Sequence, residues 1–259
     1  MAALAAIKYQ LNLFFLALGF FSRIPMPVWV SYSPENLNHS SRYFALVGCL
    51  LGGLVAVVFC MMNLFFTLNI SLWSTMVFSL LLTGAFHEDG LADTADGFGG
   101  GYTIEKKLNI MKDSRVGTYG AVALVMALLG KYLLLLESSH IAVSIIIAYT
   151  LSRTLAASLI FDMNYVTDID SSKSKPLANN QSKTDLLILL TSSLPIFLLL
   201  TWQSALLMFC ILIWVRYACK FYFIKQIRGY TGDCLGAAQQ VTELIIYALL
   251  LLLSIQVEF

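Results

Sequence analysis

The strongest constraint on this chain is a succession of apolar stretches, each close to the length of a helical membrane crossing. A bilayer core about 30 Å thick takes about 20 apolar residues per crossing helix. Seven stretches are candidates: Tyr43 to Phe66, Ser71 to Phe86, Tyr119 to Glu137, Ile141 to Phe161, Leu186 to Leu200, Trp202 to Ala218 and Val241 to Val257. The region from Leu186 to Ala218 supplies two crossings only if Pro195 kinks the chain and Thr201-Trp202-Gln203 makes a tight turn. An eighth run, Leu11 to Phe21, follows Lys8 and has no small-residue cleavage signature before Arg23. It is expected to be a retained first helix or a re-entrant segment, not the core of a signal peptide. Composition agrees: 12% of the residues are charged and 59% are apolar, whereas a soluble domain averages about 25% charged. So little polar surface cannot wet a soluble globule of 259 residues. The expected class is an all-α polytopic integral membrane protein, a bundle of about 7–8 transmembrane helices in one membrane-embedded domain over residues 1–259. The chain has no visible repeat, low-complexity tract or separate soluble domain.

Charge narrows the function. With 16 Lys and Arg against 15 Asp and Glu, there is no basic field for non-specific binding of nucleic acid, and none is expected as a partner. The loops 22–42, 87–118, 162–184 and 219–239 hold 12 of those 16 basic residues, among them Lys173 and Lys175, and the turns near 67–70, 138–140 and 201–203 hold none. Basic loops stay on the cytoplasmic side, so chemistry written in them would meet cytosolic substrates. The five cysteines, Cys49, Cys60, Cys210, Cys219 and Cys234, lack metal-type spacing and are expected to be free packing residues.

Four of the fifteen carboxylates fall within nine positions: Glu88, Asp89, Asp93 and Asp96, directly after an apolar run. On a helix, Asp89, Asp93 and Asp96 stand at i, i+4 and i+7 and share one stripe. Three such acids repel, and burying each near lipid costs about 2.5–3.5 kcal/mol without a partner. A solvated helix end marking the membrane boundary is the plainer explanation. A hard divalent cation, Mg²⁺ or Mn²⁺ rather than zinc, is the chemical one. Gly97, Gly99 and Gly100 follow, and glycine-rich turns let backbone amides approach phosphate.

Two further blocks sit on the same expected face. Lys112, Asp113 and Arg115 precede the next crossing; Arg115 could fork onto phosphate oxygens with Lys112 as a point charge, or both could be membrane anchors. Thr231 and Asp233 lie in a polar island from Gly229 to Glu243 and could cap the following helix. Glu243 and Arg153, inside apolar runs, each need a buried partner. His87 abuts the acidic cluster, and His39 and His140 have no partner visible in sequence. Acids for metal together with Gly, Lys and Arg for phosphate describe a phosphoryl-transfer site.

The blocks Phe86-His87-Glu88-Asp89-Gly90-Leu91-Ala92-Asp93-Thr94-Ala95-Asp96-Gly97, Ile110 to Gly120 and Tyr230-Thr231-Gly232-Asp233-Cys234-Leu235-Gly236-Ala237 resemble signatures of the cobalamin synthase family, the adenosylcobinamide-GDP ribazoletransferases. Arg23-Ile24-Pro25 and Tyr43 to Gly48 extend the resemblance over essentially the whole chain. Departures stand at Glu88, where relatives often carry an apolar residue, and at Ala45, where they often carry proline. The resemblance implies a Mg²⁺-dependent enzyme of the bacterial inner membrane acting late in vitamin B12 assembly. It would join α-ribazole, or its 5′-phosphate, to adenosylcobinamide-GDP and release GMP. On that basis Asp89, Asp93 and Asp96, with Glu88 a weaker candidate, would hold the metal. Lys112 and Arg115 would steady phosphate, Asp113 or one of the cluster aspartates would accept the hydroxyl proton, and Thr231 and Asp233 would close the pocket over nucleotide or ribazole. A homo-oligomer is compatible with all of this. Two rivals are a cation-coupled transporter and a lipid enzyme like the CDP-alcohol phosphotransferases, whose pattern Asp93-Thr94-Ala95-Asp96-Gly97 matches only in part.

Overall fold

A computed structural model describes residues 2–166 and 179–255. The helices are α1 (Ala2–Phe21), α2 (Pro34–Ser40), α3 (Phe44–Asn63), α4 (Leu68–Thr83), α5 (Phe86–Gly100), α6 (Ile104–Met111), α7 (Thr118–Leu136), α8 (Ile141–Ser158), α9 (Lys183–Ser193), α10 (Trp202–Ile227) and α11 (Gly232–Ile255). Among the described residues, six helical spans are long and apolar enough to cross a membrane, the first of them Leu4–Phe21, and a seventh arises if α4 and α5, bent by 85°, are taken as one; the run expected at Leu186 to Leu200 is not among them, because α9 has only 11 residues before the 3-10 segment at Pro195. The all-α polytopic class follows directly. Lys173 and Lys175, and the end of the last apolar run at 256–257, lie outside the described residues.

The bend between α4 and α5 places the acidic block. Gly84 ends α4 in the left-handed region at φ 66°, and Ala85 follows at φ 55°. Two consecutive left-handed residues cannot continue a helix, so α5 leaves the line of α4 and lies outside the six long spans. Proline acts in the same way further on. Pro195 falls in the first turn of a 3-10 segment, Leu194–Leu199, that continues α9, and Thr201 then caps α10 by accepting from the Ser204 amide at 3.3 Å. A cavity of about 470 Å³ is lined by residues that include Ser138 and His140, Leu200 and Thr201, and Leu250 with Leu253. The α7–α8 turn, the start of α10 and the end of α11 therefore share one end of the bundle. The segments around 84–117, 159–166 and 228–231 gather at the other, as the charge distribution predicts.

At the centre, α8 is buried along almost its whole length and packs on α3 and α11. Asp185, 1% exposed at the start of α9, lies 3.0 Å from His39 Nδ1 and accepts from Arg42 Nε at 2.7 Å. That gives His39 the partner its sequence context does not reveal. All five cysteines are free, but only Cys234 is a buried core residue; Cys60 and Cys210 are exposed on the outer faces of α3 and α10.

Two boundaries differ from expectation. The 219–239 loop is nearly absent: α10 runs on to Ile227 and α11 starts at Gly232, leaving a short connection. The stretch from Lys220 to Gln226 carries no glycine or proline to stop the helix, so polarity alone does not end it. As a result Glu243 sits three turns into α11, not one. Tyr230 in the connection exchanges backbone hydrogen bonds with Asn164 and Val166, both 3.0 Å, which fastens the segment after α8 to the start of α11.

Candidate active site

The acidic block is helical, as its spacing predicts, but the four acids do not share one environment. Asp89 is exposed, Asp93 is half-buried, and Glu88 and Asp96 are buried. Asp96 points at the start of α7, where its oxygens accept from the amides of Gly117 (2.7 Å) and Gly120 (2.8 Å). Those are donors that the first turn of a helix leaves unpaired, next to its positive end. Asp96 is thus a cap for α7 supplied from another helix, with each of its oxygens accepting one of these amides. Asp96→Asn would set an amide NH₂ against one of these N–H groups. It is expected to cost about 1–2 kcal/mol, a fall of a few degrees in the unfolding temperature in detergent. The Mg²⁺ concentration for half-maximal activity should stay unchanged.

A further carboxylate, Asp233, reaches Asp93 from α11. Helices α5 and α11 touch at Gly90, where a Cβ would stand 2.9 Å from the Asp233 carbonyl oxygen and 3.2 Å from the Gly236 Cα. This contact sets Asp233 at the N-terminus of α11 beside Asp89 and Asp93. Partial burial, and then the charges of Asp233, Asp89 and Asp96, push the Asp93 carboxyl up to about 7. Among the described residues, no three acidic, histidine or cysteine side chains already converge as a metal cage. The donor set nevertheless suits a hard cation: oxygen-only, anionic, mutually repelling, and open to solvent at Asp89.

A raised carboxyl pKa has a definite sign. Between 3.8, the ordinary value, and about 7, the folded state holds a proton on Asp93 that the unfolded state has lost. Stability through this group therefore falls as pH rises across that window. A bound divalent cation should reverse the loss. Thermal unfolding in detergent should show stabilisation by Mg²⁺ that is larger at pH 8 than at pH 6, and Asp93→Asn should abolish the difference.

The glycine-rich cradle expected at Gly97, Gly99 and Gly100 is not present. Helix α5 continues through Gly100, so these glycines serve packing: a Cβ on Gly97 would meet Met111 Cγ at 2.4 Å, and one on Gly99 would meet the Tyr119 ring at 2.6 Å. Arg115 and Asp113 bind each other, with Arg115 Nη2 donating to Asp113 at 2.6 Å, both on the exposed connection before α7. That pairing holds the Asp113 carboxyl below the usual carboxylate range. Lys112 caps the end of α6 on the same connection. Thr231 is buried, and its hydroxyl accepts from the Cys234 amide at 3.3 Å, capping α11 next to Asp233.

Behind the face lies a buried polar layer for which sequence offered only fragments. Glu243 pairs with Lys131 of α7 (2.5 Å), a residue hidden in an apolar run. Arg153 donates to the Tyr149 carbonyl at 3.1 Å and lies over the Tyr149 ring. His87 stacks on Phe21. Lys131 and Glu243 could have been matched as the intramembrane cation and anion of adjacent apolar runs.

Comparisons with known proteins agree along the chain. The family described as cobalamin-5-phosphate synthase matches residues 13–251. Proteins named adenosylcobinamide-GDP ribazoletransferase are similar to it. One from Vibrio cholerae serotype O1 is 54% identical over 95% of this chain and 96% of its own. One from Vibrio parahaemolyticus is 52% identical over 95% and 94%, and one from Shewanella pealeana is 52% identical over 96% and 98%. No solved structure matches. The similarity takes in α5, the α6–α7 connection and the start of α11 together, and the chain belongs to the cobalamin-5-phosphate synthase family.

Proposed function

We propose that the chain transfers the cobinamide-phosphoryl group of adenosylcobinamide-GDP to α-ribazole or α-ribazole 5′-phosphate. The products would be adenosylcobalamin, or its 5′-phosphate, and GMP. The observation that carries this reading is the backbone contact of α5 with α11 at Gly90, which brings Asp233 close enough for its charge to act on Asp93 and for that of Asp89 to act on Asp233. That face lies at the end of a membrane bundle where the basic segments gather.

A ribose hydroxyl oxygen attacks the cobinamide-side phosphorus of the diphosphate. A new P–O bond forms, the bond to the bridging oxygen breaks, GMP leaves with that electron pair, and the hydroxyl proton passes to a base. Asp89, Asp93 and Asp233 would hold Mg²⁺, which when bound neutralises charge on the diphosphate and the departing GMP. Lys112 and Arg115 stand on the connection that borders the face and supply positive charge for phosphate oxygens. Asp113 serves as base once substrate phosphate draws Arg115 away, because the ion pair that depresses its pKa is then broken. Thr231 holds the start of α11, and so Asp233, in place. The site faces the cytoplasm of a bacterial inner membrane, consistent with the basic loops.

Neither rival gains support. The acids cluster at one end of the bundle, not at its midplane, and the similar proteins are named as transferases. Purified protein in liposomes, given Mg²⁺ and both substrates, should release GMP and cobalamin product in equal amounts. Uptake of either substrate without a covalent product would contradict the proposal.

A further inference from the structure

We infer that Glu88 is a positioning residue, tied through a buried relay of side chains to Lys131, and that this relay fixes the rotation of α5 that turns Asp89 and Asp93 outward. The inference deepens the proposed site and rests on it for the identity of the metal.

Four contacts make the relay continuous. Lys131 on α7 pairs with Glu243 Oε1 at 2.5 Å. Glu243 Oε2 accepts from Gln239 Nε2 at 2.7 Å. Gln239 Oε1 accepts from Gln240 Nε2 at 2.9 Å. Gln240 Nε2 also donates to Glu88 Oε1 at 3.1 Å. Side branches hold it on both sides: Gln239 Nε2 donates to Ser152 of α8 at 2.9 Å, and the Tyr247 hydroxyl donates to Glu243 at 3.0 Å. None of the five members is more than 6% exposed.

The chemistry leaves one arrangement. The carboxylate oxygens of Glu243 and Glu88 accept here, and the amide nitrogens of Gln239 and Gln240 face them. Each of those nitrogens then spends both of its hydrogens. Flipping either amide would set oxygen against oxygen in a site that water cannot repair, and a broken buried hydrogen bond leaves a desolvated group unpaired. The relay is therefore stiff. It meets α5 at Glu88, whose neighbour Asp89 points about 100° away around the helix. Turned inward, Glu88 is buried against Gln240, while Asp89 is exposed and Asp93 half-buried. Glu88 and Lys131 supply the ends, and α11 carries the link between them.

Two measurements on the full-length protein in detergent test this, with folding checked by monodispersity and thermal unfolding. The first is Mn²⁺ binding read by electron paramagnetic resonance. Glu88→Gln keeps an acceptor oxygen for Gln240 and should leave Mn²⁺ affinity within about 2-fold, whereas Gln240→Leu, which removes no carboxylate, should weaken it by about 10-fold, the range seen when an outer hydrogen-bond partner is lost. The second is metal-free hydrogen exchange. Gln240→Leu should speed exchange of the α5 amides by about 10-fold while α3 is unaffected, as local loosening would do. The milder Gln240→Asn, too short to span the gap, should act in the same direction. The inference is overturned if Glu88→Gln weakens Mn²⁺ as much as Asp89→Asn, which would make Glu88 a ligand. It is also overturned if the Gln240 variants leave α5 exchange unchanged. A wild-type protein that binds no Mn²⁺ would refute the metal reading instead, and the exchange result would still decide the relay.

Discussion

Asp93→Asn should slow GMP release by at least about 10²-fold at saturating substrates, the scale on which removing one fixed electrostatic stabiliser acts. The protein should still insert and run as a monodisperse species. The Asp93 carboxyl is pushed up to about 7 by burial and by the charges of Asp233, Asp89 and Asp96, so a cation bound beside it would favour its ionised form. The asparagine keeps the shape and removes the charge. Stability should not suffer, because the substitution also removes a repulsion. A rate assay alongside thermal unfolding separates the two effects. Near-normal turnover would mean that Asp93 is not part of the metal-holding face.

Gly90→Ala should be nearly as damaging to activity, by a route that alters no charge. The added Cβ would stand 2.9 Å from the Asp233 carbonyl oxygen and 3.1 Å from its Cα. Both are backbone atoms, so α5 and α11 must separate by several tenths of an ångström. Overpacking of this kind costs about 1–3 kcal/mol. The separation falls at the point that sets Asp89 and Asp93 against Asp233, where a misplacement of about 1 Å can cost about 10²-fold in rate. Gly53 provides the control: a Cβ there meets nothing within 4 Å, so Gly53→Ala in α3 should leave turnover intact. Steady-state rates for the two variants, each normalised to folded protein, test the contrast.

Much of this architecture is legible in the residues. Apolar length gives most of the crossings, and Pro195 and Thr201 give the break between α9 and α10; the run from Leu186 to Leu200 is split by that break and is too short a helix to cross. The helical spacing of Asp89 and Asp93 gives half of the face proposed to hold metal. The other half was hidden by two features. Spacing along one helix cannot show that Asp96 turns toward the amides of Gly117 and Gly120, since those donors are 21 and 24 residues away in sequence. Nor can it show that Asp233, far along the chain, completes the face, because that depends on two glycines, Gly90 and Gly236, allowing α5 and α11 to meet. Lys131 was lost for a different reason: one cation in a long apolar run barely changes the run's hydropathy, although its burial requires Glu243. Gly97, Gly99 and Gly100 read as a phosphate loop because glycine serves close packing as readily as it serves turns.

The central claim is that α5 and α11 hold one divalent cation together against the diphosphate, and a Mg²⁺ titration of GMP release in the wild type and in Asp233→Asn tests it most directly. The midpoint of the titration should rise by at least about 10-fold in the variant, as expected when one carboxylate of a shared site is lost. An unchanged midpoint, or wild-type GMP release that persists after Mg²⁺ is chelated, would contradict it.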